Sequence, residues 1–110
     1  MTINLHRTTQ TVATFINTNT SGDNTIIAAV TGQTTRCHRL HLTAAGAVNV
    51  QVKVGTTVVD TFQFVGAAPL PIVLDFNEEP YYETAVNQAL IINLSGAVLV
   101  QGQMNTITSG

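Results

Sequence analysis

Three side chains that can bind metal ions, Cys37, His38 and His41, lie within five residues of one another. If this segment is a strand, alternation places Cys37, Arg39 and His41 on one face and His38 on the other. Only Cys37 and His41 could then bind one ion together, whereas zinc requires three or four ligands. The pattern therefore favours a structural role for these residues, and we predict no metal site.

The acidic residues show no spacing that indicates catalysis. They are Asp23, Asp60, Asp75, Glu78, Glu79 and Glu83. A glycosidase needs two carboxylates across a cleft, whereas adjacent acids in a loop, such as Glu78 and Glu79, are usually solvated. Asp60 alternates with two phenylalanines, so it lies either on an inward face, where Arg36 or Arg39 could pair with it, or at the exposed end of a strand. Because nucleophile and phosphate-loop motifs are also missing, we predict no catalytic residue and no cofactor.

The composition predicts which elements position these side chains. Val, Ile and Thr supply 39 of the 110 residues, and β-branched side chains favour strands over helices. Charged residues make up only 9% and the net charge is −2, so the chain has no basic excess for binding nucleic acid. So few charges on a domain of this size favour a subunit of an assembly, because uncharged side chains are buried against a partner at little desolvation cost.

Turn residues recur about every eight to twelve positions, as in a sandwich or barrel. The clearest strand alternates Val48, Val50, Val52 and Val54 with polar residues, and a hairpin turn at 55–57 follows it. A second hairpin is expected around Gly96. Eight strands are predicted, at 9–17, 25–30, 35–43, 47–54, 58–65, 72–76, 89–95 and 97–104. Val12, Phe15 and Ile16 are the expected apolar anchors of the first strand. We therefore predict an all-β fold, an antiparallel two-sheet sandwich that is jelly-roll-like, in one domain over residues 1–110 with a frayed tail at 105–110.

The start of the chain lacks a long apolar stretch, so we expect no signal peptide and synthesis in a cytoplasm. Its most apolar stretch, residues 64–74, is interrupted by one glycine and two prolines and is too short to cross a bilayer. The single cysteine predicts no internal disulfide.

Several strand-like segments carry a resemblance to a known class of proteins. They are residues 22–30, 39–50, 72–76, 79–85 and 89–95. Across about residues 20 to 104 the chain resembles small structural proteins of tailed bacteriophages. The resemblance implies a virion component, and among such proteins compact β-sandwich decoration (cement) proteins sit on the outer capsid, commonly as trimers. The expected partners are therefore further copies of the chain and the major capsid protein, with no membrane partner, and a fibre, tail or baseplate domain that contacts a host glycan is the alternative.

Two segments are candidates for the contact with such an assembly. The first is the N-terminal segment 1–10, which carries Ile3, Leu5, His6 and Arg7 and would be either an arm that docks on a neighbour or an edge strand of its own subunit. The second is the loop at 77–83, where Glu79, Tyr81 and Tyr82 combine aromatic area with negative charge. In that loop, one tyrosine could instead close the end of the sandwich.

Overall fold

The computed structural model describes residues 11–66 and 69–110, which form nine strands and no helix. The strands are β1 (Val12–Thr18), β2 (Gly22–Ile27), β3 (Thr34–Ala44), β4 (Val48–Val54), β5 (Thr57–Phe64), β6 (Ile72–Leu74), β7 (Tyr82–Glu83), β8 (Leu90–Leu94) and β9 (Val100–Ser109). All pairs are antiparallel and form two sheets, which confirms the predicted all-β sandwich. With every described element a strand, this part of the chain holds no helix that could cross a membrane.

The two sheets are connected in jelly-roll order. Sheet A has the order β1-β9-β3-β6, with β7 also paired to β3, and sheet B has the order β2-β8-β4-β5. Successive strands from β1 to β4 therefore alternate between the sheets, and each pairs with a strand from the second half of the chain: β1 with β9, β2 with β8, β3 with β6, and β4 with β5. A long antiparallel ribbon wrapped around the core has this connectivity.

The core is formed by the facing sides of the two sheets. The buried apolar side chains are Ile16, Cys37, Leu40, Leu42, Val48, Val50, Val52, Phe64, Tyr82, Leu90, Ile92, Leu94, Val100 and Met104. Along β4 the three buried valines alternate with Asn49 and Gln51, as the sequence predicts. The predicted hairpin between β4 and β5 is confirmed as well, with Gly55 at φ 62° in its turn.

The predicted hairpin around Gly96 is wrong, because β8 belongs to sheet B and β9 to sheet A. Both strands bury alternate side chains, but they supply the core from opposite sides, and the chain crosses between the sheets at 95–99. The tail at 105–110 is also not frayed over most of its length. Residues 105–109 continue β9, where Thr106 is buried and Ser109 pairs with Thr34.

A β-bulge changes the side-chain faces along β3. Cys37 pairs with Thr106 and Arg39 pairs with Asn105, so His38 is the extra residue. An extra residue shifts the alternation by one position. Cys37 therefore points into the core together with Leu40 and Leu42, while Arg39 and His41 point outward. The prediction that Cys37 and His41 share a face is wrong for this reason.

Candidate functional surfaces

The bulge at His38 holds the segment that connects β6 to β7. The main-chain oxygen of His38 accepts a hydrogen bond from Asn77 N at 3.0 Å, and the ring Nδ1 of His38 lies 2.8 Å from Asn77 O. The next link is made by Tyr81 N, which donates to Cys37 O at 2.8 Å. Residues 75–81 therefore form a loop between β6 and β7, and main-chain hydrogen bonds from Asn77 and Tyr81 attach this loop to β3.

We call residues 70–83 the edge segment, and four of its apolar side chains are exposed. They are Leu70 (83% exposed), Val73 (52%), Phe76 (59%) and Tyr81 (38%). The ring of Phe76 stacks on His38 with a centroid distance of 5.9 Å. The carboxylates of Asp75, Glu78 and Glu79 are exposed on the same segment. The edge segment therefore combines apolar area with negative charge, and most of the apolar area lies before the predicted 77–83 loop, at Leu70, Val73 and Phe76.

The two tyrosines of the edge segment differ in what they contact. Tyr82 is buried, and its hydroxyl donates to Asp60 Oδ2 at 2.6 Å, which links sheet A to sheet B. Burial and the neighbouring carboxylate raise the pKa of Tyr82 well above its ordinary value. Tyr81 is exposed and donates to Asp75 O at 2.7 Å. Tyr82 thus closes the sandwich, and of the predicted loop candidates only Glu79 and Tyr81 have exposed side chains.

The tyrosine link also decides between the two expectations for Asp60. Asp60 lies opposite Val52, whose side chain is buried, so Asp60 is on the inward face of β5. The partner expected there was an arginine, but the side chain that reaches Asp60 is Tyr82. The sequence signal for this pair was weak, because Asp60 and Tyr82 are on different sheets and 22 residues apart.

The outer face of sheet A is a second candidate surface. We call it the outer A face and define it by the outward side chains of β1, β9 and β3: Ala13, Phe15, Asn17, Gln101, Gln103, Asn105, Arg39, His41 and Thr43. Phe15 is 64% exposed there, although the sequence placed it among the anchors of the first strand together with Val12, which is 65% exposed. Of the three expected anchors, only Ile16 is buried.

A shallow groove of about 400 Å³ crosses the outer A face. It is lined by Phe15, His41, Thr43, Gln101, Gly102 and Gln103. Gly102 lies at the centre of the sheet, where an added Cβ would overlap the main-chain oxygen of His41. Glycine at this position therefore lets β9 and β3 approach each other beneath the groove.

Arg39 lies on β3 one outward position before His41, and it is held by two amides, of which Gln103 lines the groove. Its Nη1 donates to Gln103 Oε1 at 3.2 Å and to Asn105 Oδ1 at 3.3 Å. Arg36, on the same face, instead forms an ion pair with Glu83 at 3.2 Å. All six acidic residues lie in the described part of the chain, and there Arg39 pairs with none of them.

The other predicted residues are placed as follows. Cys37 is buried, and desolvation raises the pKa of its thiol to about 11. Within residues 11–66 and 69–110, no three His, Cys, Asp or Glu side chains are grouped as metal ligands would be. Ile3, Leu5, His6 and Arg7 of the N-terminal segment lie outside the described residues.

Comparisons with models of known protein families, with curated proteins and with solved structures found no match to this chain.

Proposed function

We propose that the chain is a non-enzymatic structural protein of a virion, which decorates the outer surface of a capsid and stabilises the head. The observation that carries this proposal is the edge segment, where exposed apolar side chains lie beside exposed carboxylates on a segment that is hydrogen-bonded to β3. Jelly-roll connectivity supports it further, because viral capsid domains are among those that use this architecture. The resemblance of several segments to phage structural proteins agrees with the same function.

The edge segment is suited to docking because it needs little rearrangement. Hydrogen bonds to the main chain of β3 hold Asn77 and Tyr81, so binding immobilises few additional groups. Phe76 and Leu70 supply the apolar area that a partner buries. Asp75, Glu78 and Glu79 surround this area with negative charge, which matches a capsid surface that carries basic groups.

Stabilisation of the head then follows from mass action. A subunit that binds across two neighbouring capsomers binds the assembled head and not the separated capsomers, so each bound copy favours the assembled state. Association as a homo-oligomer, with a trimer as the proposed number, multiplies the number of contacts made by one particle. Multiple weak contacts give strong overall attachment when they bind simultaneously.

The location is tested by imaging virions of the source phage with the chain labelled. Density on the head is expected, whereas density confined to the tail contradicts decoration and favours the alternative of a fibre, tail or baseplate domain. Light scattering of the purified chain at micromolar concentration gives the oligomeric state. A trimer is expected, a stable dimer contradicts the number, and a monomer contradicts the oligomer.

The docking surface is tested by rebinding purified chain to heads from which it has been stripped. The Leu70→Ala, Phe76→Ala double variant is expected to lower the affinity by about tenfold or more, because it removes two apolar anchors. The matched control is Val65→Ala, since Val65 is 70% exposed and follows β5 of the other sheet. Full affinity of the double variant, together with loss of binding on deletion of residues 1–10, would assign the contact to the N-terminal segment instead.

A further inference from the structure

We propose that the groove on the outer A face binds a saccharide that carries a carboxylate group. The groove lies on β1, β9 and β3, whereas the edge segment lies beyond β3 on β6 and β7. The two surfaces adjoin where His41 pairs with Val73, but none of the residues that line the groove belongs to the edge segment. Three features at the groove point to this ligand: an aromatic platform, a set of polar hydrogen-bonding groups, and a neighbouring cation with no carboxylate partner among the described residues.

The aromatic platform is Phe15. Its side chain is 64% exposed on the sheet surface and forms one wall of the groove. An exposed phenyl ring offers apolar area that the C–H groups of a sugar ring cover, and the burial of this area favours binding. Phe15 faces away from the core, whereas the next residue of β1, Ile16, faces inward and is fully buried.

The polar groups lie on the strands beside β1, in the same row as Phe15 and in the next row of the sheet. Phe15, Gln103 and His41 are register partners across β1, β9 and β3, and Asn17, Gln101 and Thr43 form the next row. Gln103 uses its amide oxygen for Arg39 and makes no hydrogen bond through its amide nitrogen within the described residues. Its NH₂ group and the His41 ring are therefore placed to bond with the hydroxyl groups of a sugar.

Arg39 supplies the preference for an acid. Both of its hydrogen bonds use Nη1, so the edge formed by Nε and Nη2 has no partner among the described residues. That edge carries two parallel N–H groups, which match the two oxygens of a carboxylate. The amides of Gln103 and Asn105 hold the guanidinium in place without neutralising it, so its charge remains available to a ligand.

The size and charge of the groove distinguish this ligand from other occupants. A volume of about 400 Å³ falls within the range of small-molecule sites. Residues 1–10 contain Arg7 and no acidic residue, so this segment does not complement Arg39. A neutral sugar would use the platform and the amides but would leave the cation without a partner.

The test titrates isotope-labelled chain with trigalacturonate and, separately, with its fully methyl-esterified form, and follows backbone amide shifts by NMR. The ester keeps the size and the hydroxyl groups of the acid but removes its charges. We expect shifts at β1, β9 and β3 around the groove, and about tenfold tighter binding of the acid than of the ester. Equal binding of both probes, or shifts located away from the groove, would overturn the proposal.

Variants separate the contribution of the aromatic platform to binding from that of the cation. Phe15→Ala is expected to weaken binding of both probes about tenfold, whereas Arg39→Gln should remove only the difference between acid and ester. Gln103→Glu preserves the side-chain size and places a carboxylate against Nη1 of Arg39, so it should abolish the preference for the acid by neutralising the guanidinium charge. Two matched controls, Val65→Ala and Lys53→Gln, remove an exposed apolar group and a cation outside the groove, and are expected to bind as the unmodified chain does.

Two further results bear on the assignment. If Phe15→Ala or Arg39→Gln disturbs the fold, as seen in the amide spectrum without ligand, Gln103→Glu tests the acid preference by itself. A short polyglutamate peptide is added as a third probe. Binding of this peptide at the groove without any response to trigalacturonate would overturn the saccharide proposal and indicate an acidic protein partner.

Discussion

Two cations on the outer faces of the sheets, Lys53 of sheet B and Arg39 of sheet A, are held in opposite ways. On sheet B, Lys53 Nζ contacts both carboxylate oxygens of Asp23 at 3.0 Å, and Asn93 donates to the same carboxylate at 2.6 Å. On sheet A, Arg39 contacts only amide oxygens. A cation that already has its carboxylate offers little to a ligand, whereas one held by amides retains its charge. If the groove binds a ligand as proposed, the partner of a cation, and not its presence alone, distinguishes that surface from the outer face of sheet B.

The titratable groups of the two sheets also differ in the direction of their pKa shifts. The groups whose pKa is raised, Cys37 and Tyr82, belong to sheet A and point into the core. The group whose pKa is lowered, Asp23, belongs to sheet B and points outward, where hydrogen bonds from Asn93 and Lys53 favour its charged form. Desolvation therefore dominates inside sheet A and hydrogen bonding dominates outside sheet B.

The largest expected effect concerns the close approach of strands beneath the groove. Gly102→Ala should lower the free energy of unfolding by about 3 kcal/mol, because its Cβ overlaps the main-chain oxygen of His41 and a strand must shift. Gly96, which follows β8 of sheet B, is the matched control, since a Cβ there meets no atom within 4 Å. Urea denaturation of both variants measures the difference. Equal stability of the two variants would contradict the tight packing of β9 against β3.

The second prediction concerns the loss of stability at alkaline pH, to which the buried thiol of Cys37 in sheet A should contribute. The thiol of Cys37 has an ordinary pKa of 9.0, raised in the folded chain to about 11 by burial. Below pH 9 the thiol is neutral in both states, so its contribution is fully present. Between pH 9 and about 11 the unfolded chain ionises first, so the folded state loses up to about 2 to 3 kcal/mol.

Urea midpoints measured at pH 8 and at pH 11 test this alkaline loss. Tyr82 contributes in the same direction, so Tyr82→Phe is measured in parallel to isolate the thiol. Cys37→Ala is expected to be less stable at pH 8 but to lose less stability on going to pH 11. An identical alkaline loss with and without the thiol would show that Cys37 has no part in it.

The third prediction compares the two tyrosines. Tyr82→Phe removes the hydrogen bond to Asp60 Oδ2 that links the sheets, and should cost about 2 kcal/mol because a partly buried carboxylate loses its donor. Tyr81→Phe removes an exposed bond to Asp75 O and should cost about 0.5 kcal/mol. Thermal or urea unfolding compares them. A larger loss for Tyr81→Phe would mean that the edge segment, and not the sheet-to-sheet link, depends on a tyrosine hydroxyl.

Parts of this fold could be predicted from the sequence because burial and alternation coincide there. Along β4, the strict alternation of valine with polar residues reports one buried face, and β4 lies inside sheet B between β8 and β5. The same rule failed at β3, because the bulge at His38 shifts the alternation and the sequence shows no glycine or proline there to mark it. The alternation also did not predict the pairing of β8 and β9, because it indicates that a strand has a buried face but not to which sheet the strand belongs.

The candidate surfaces were predictable only in part. The loop at 77–83 is a candidate because of its aromatic and acidic residues, which are local in sequence, and the structure exposes Glu79 and Tyr81 but buries Tyr82. The outer A face was not, because Phe15, Arg39 and Gln103 come together only through the pairing of β1, β9 and β3. Phe15 was expected in the core because large apolar residues usually are buried. Its exposure follows from the inward position of Ile16 next to it, since neighbouring residues of a strand face opposite sides.

The smallest expected effect concerns the outer face of sheet B. The pKa of Asp23 is lowered in the folded chain, so its contribution to stability is present above the unfolded value of 3.8 and is lost as the pH falls through the folded value. Asp23→Asn removes this titration and should flatten the decline of stability below pH 4. The effect is small because the carboxylate is exposed and its ion pair is screened by solvent.

Lys53→Gln is the companion variant for Asp23→Asn. It removes the ion pair but keeps the hydrogen bond from Asn93, which is the larger cause of the lowered pKa. Lys53→Gln should therefore retain most of the acid-side decline that Asp23→Asn removes. Urea midpoints between pH 2 and pH 6 compare the two variants. Lys53→Gln could instead flatten the decline as fully as Asp23→Asn does. The ion pair with Lys53, and not the hydrogen bond from Asn93, would then be the main cause of the lowered pKa of Asp23.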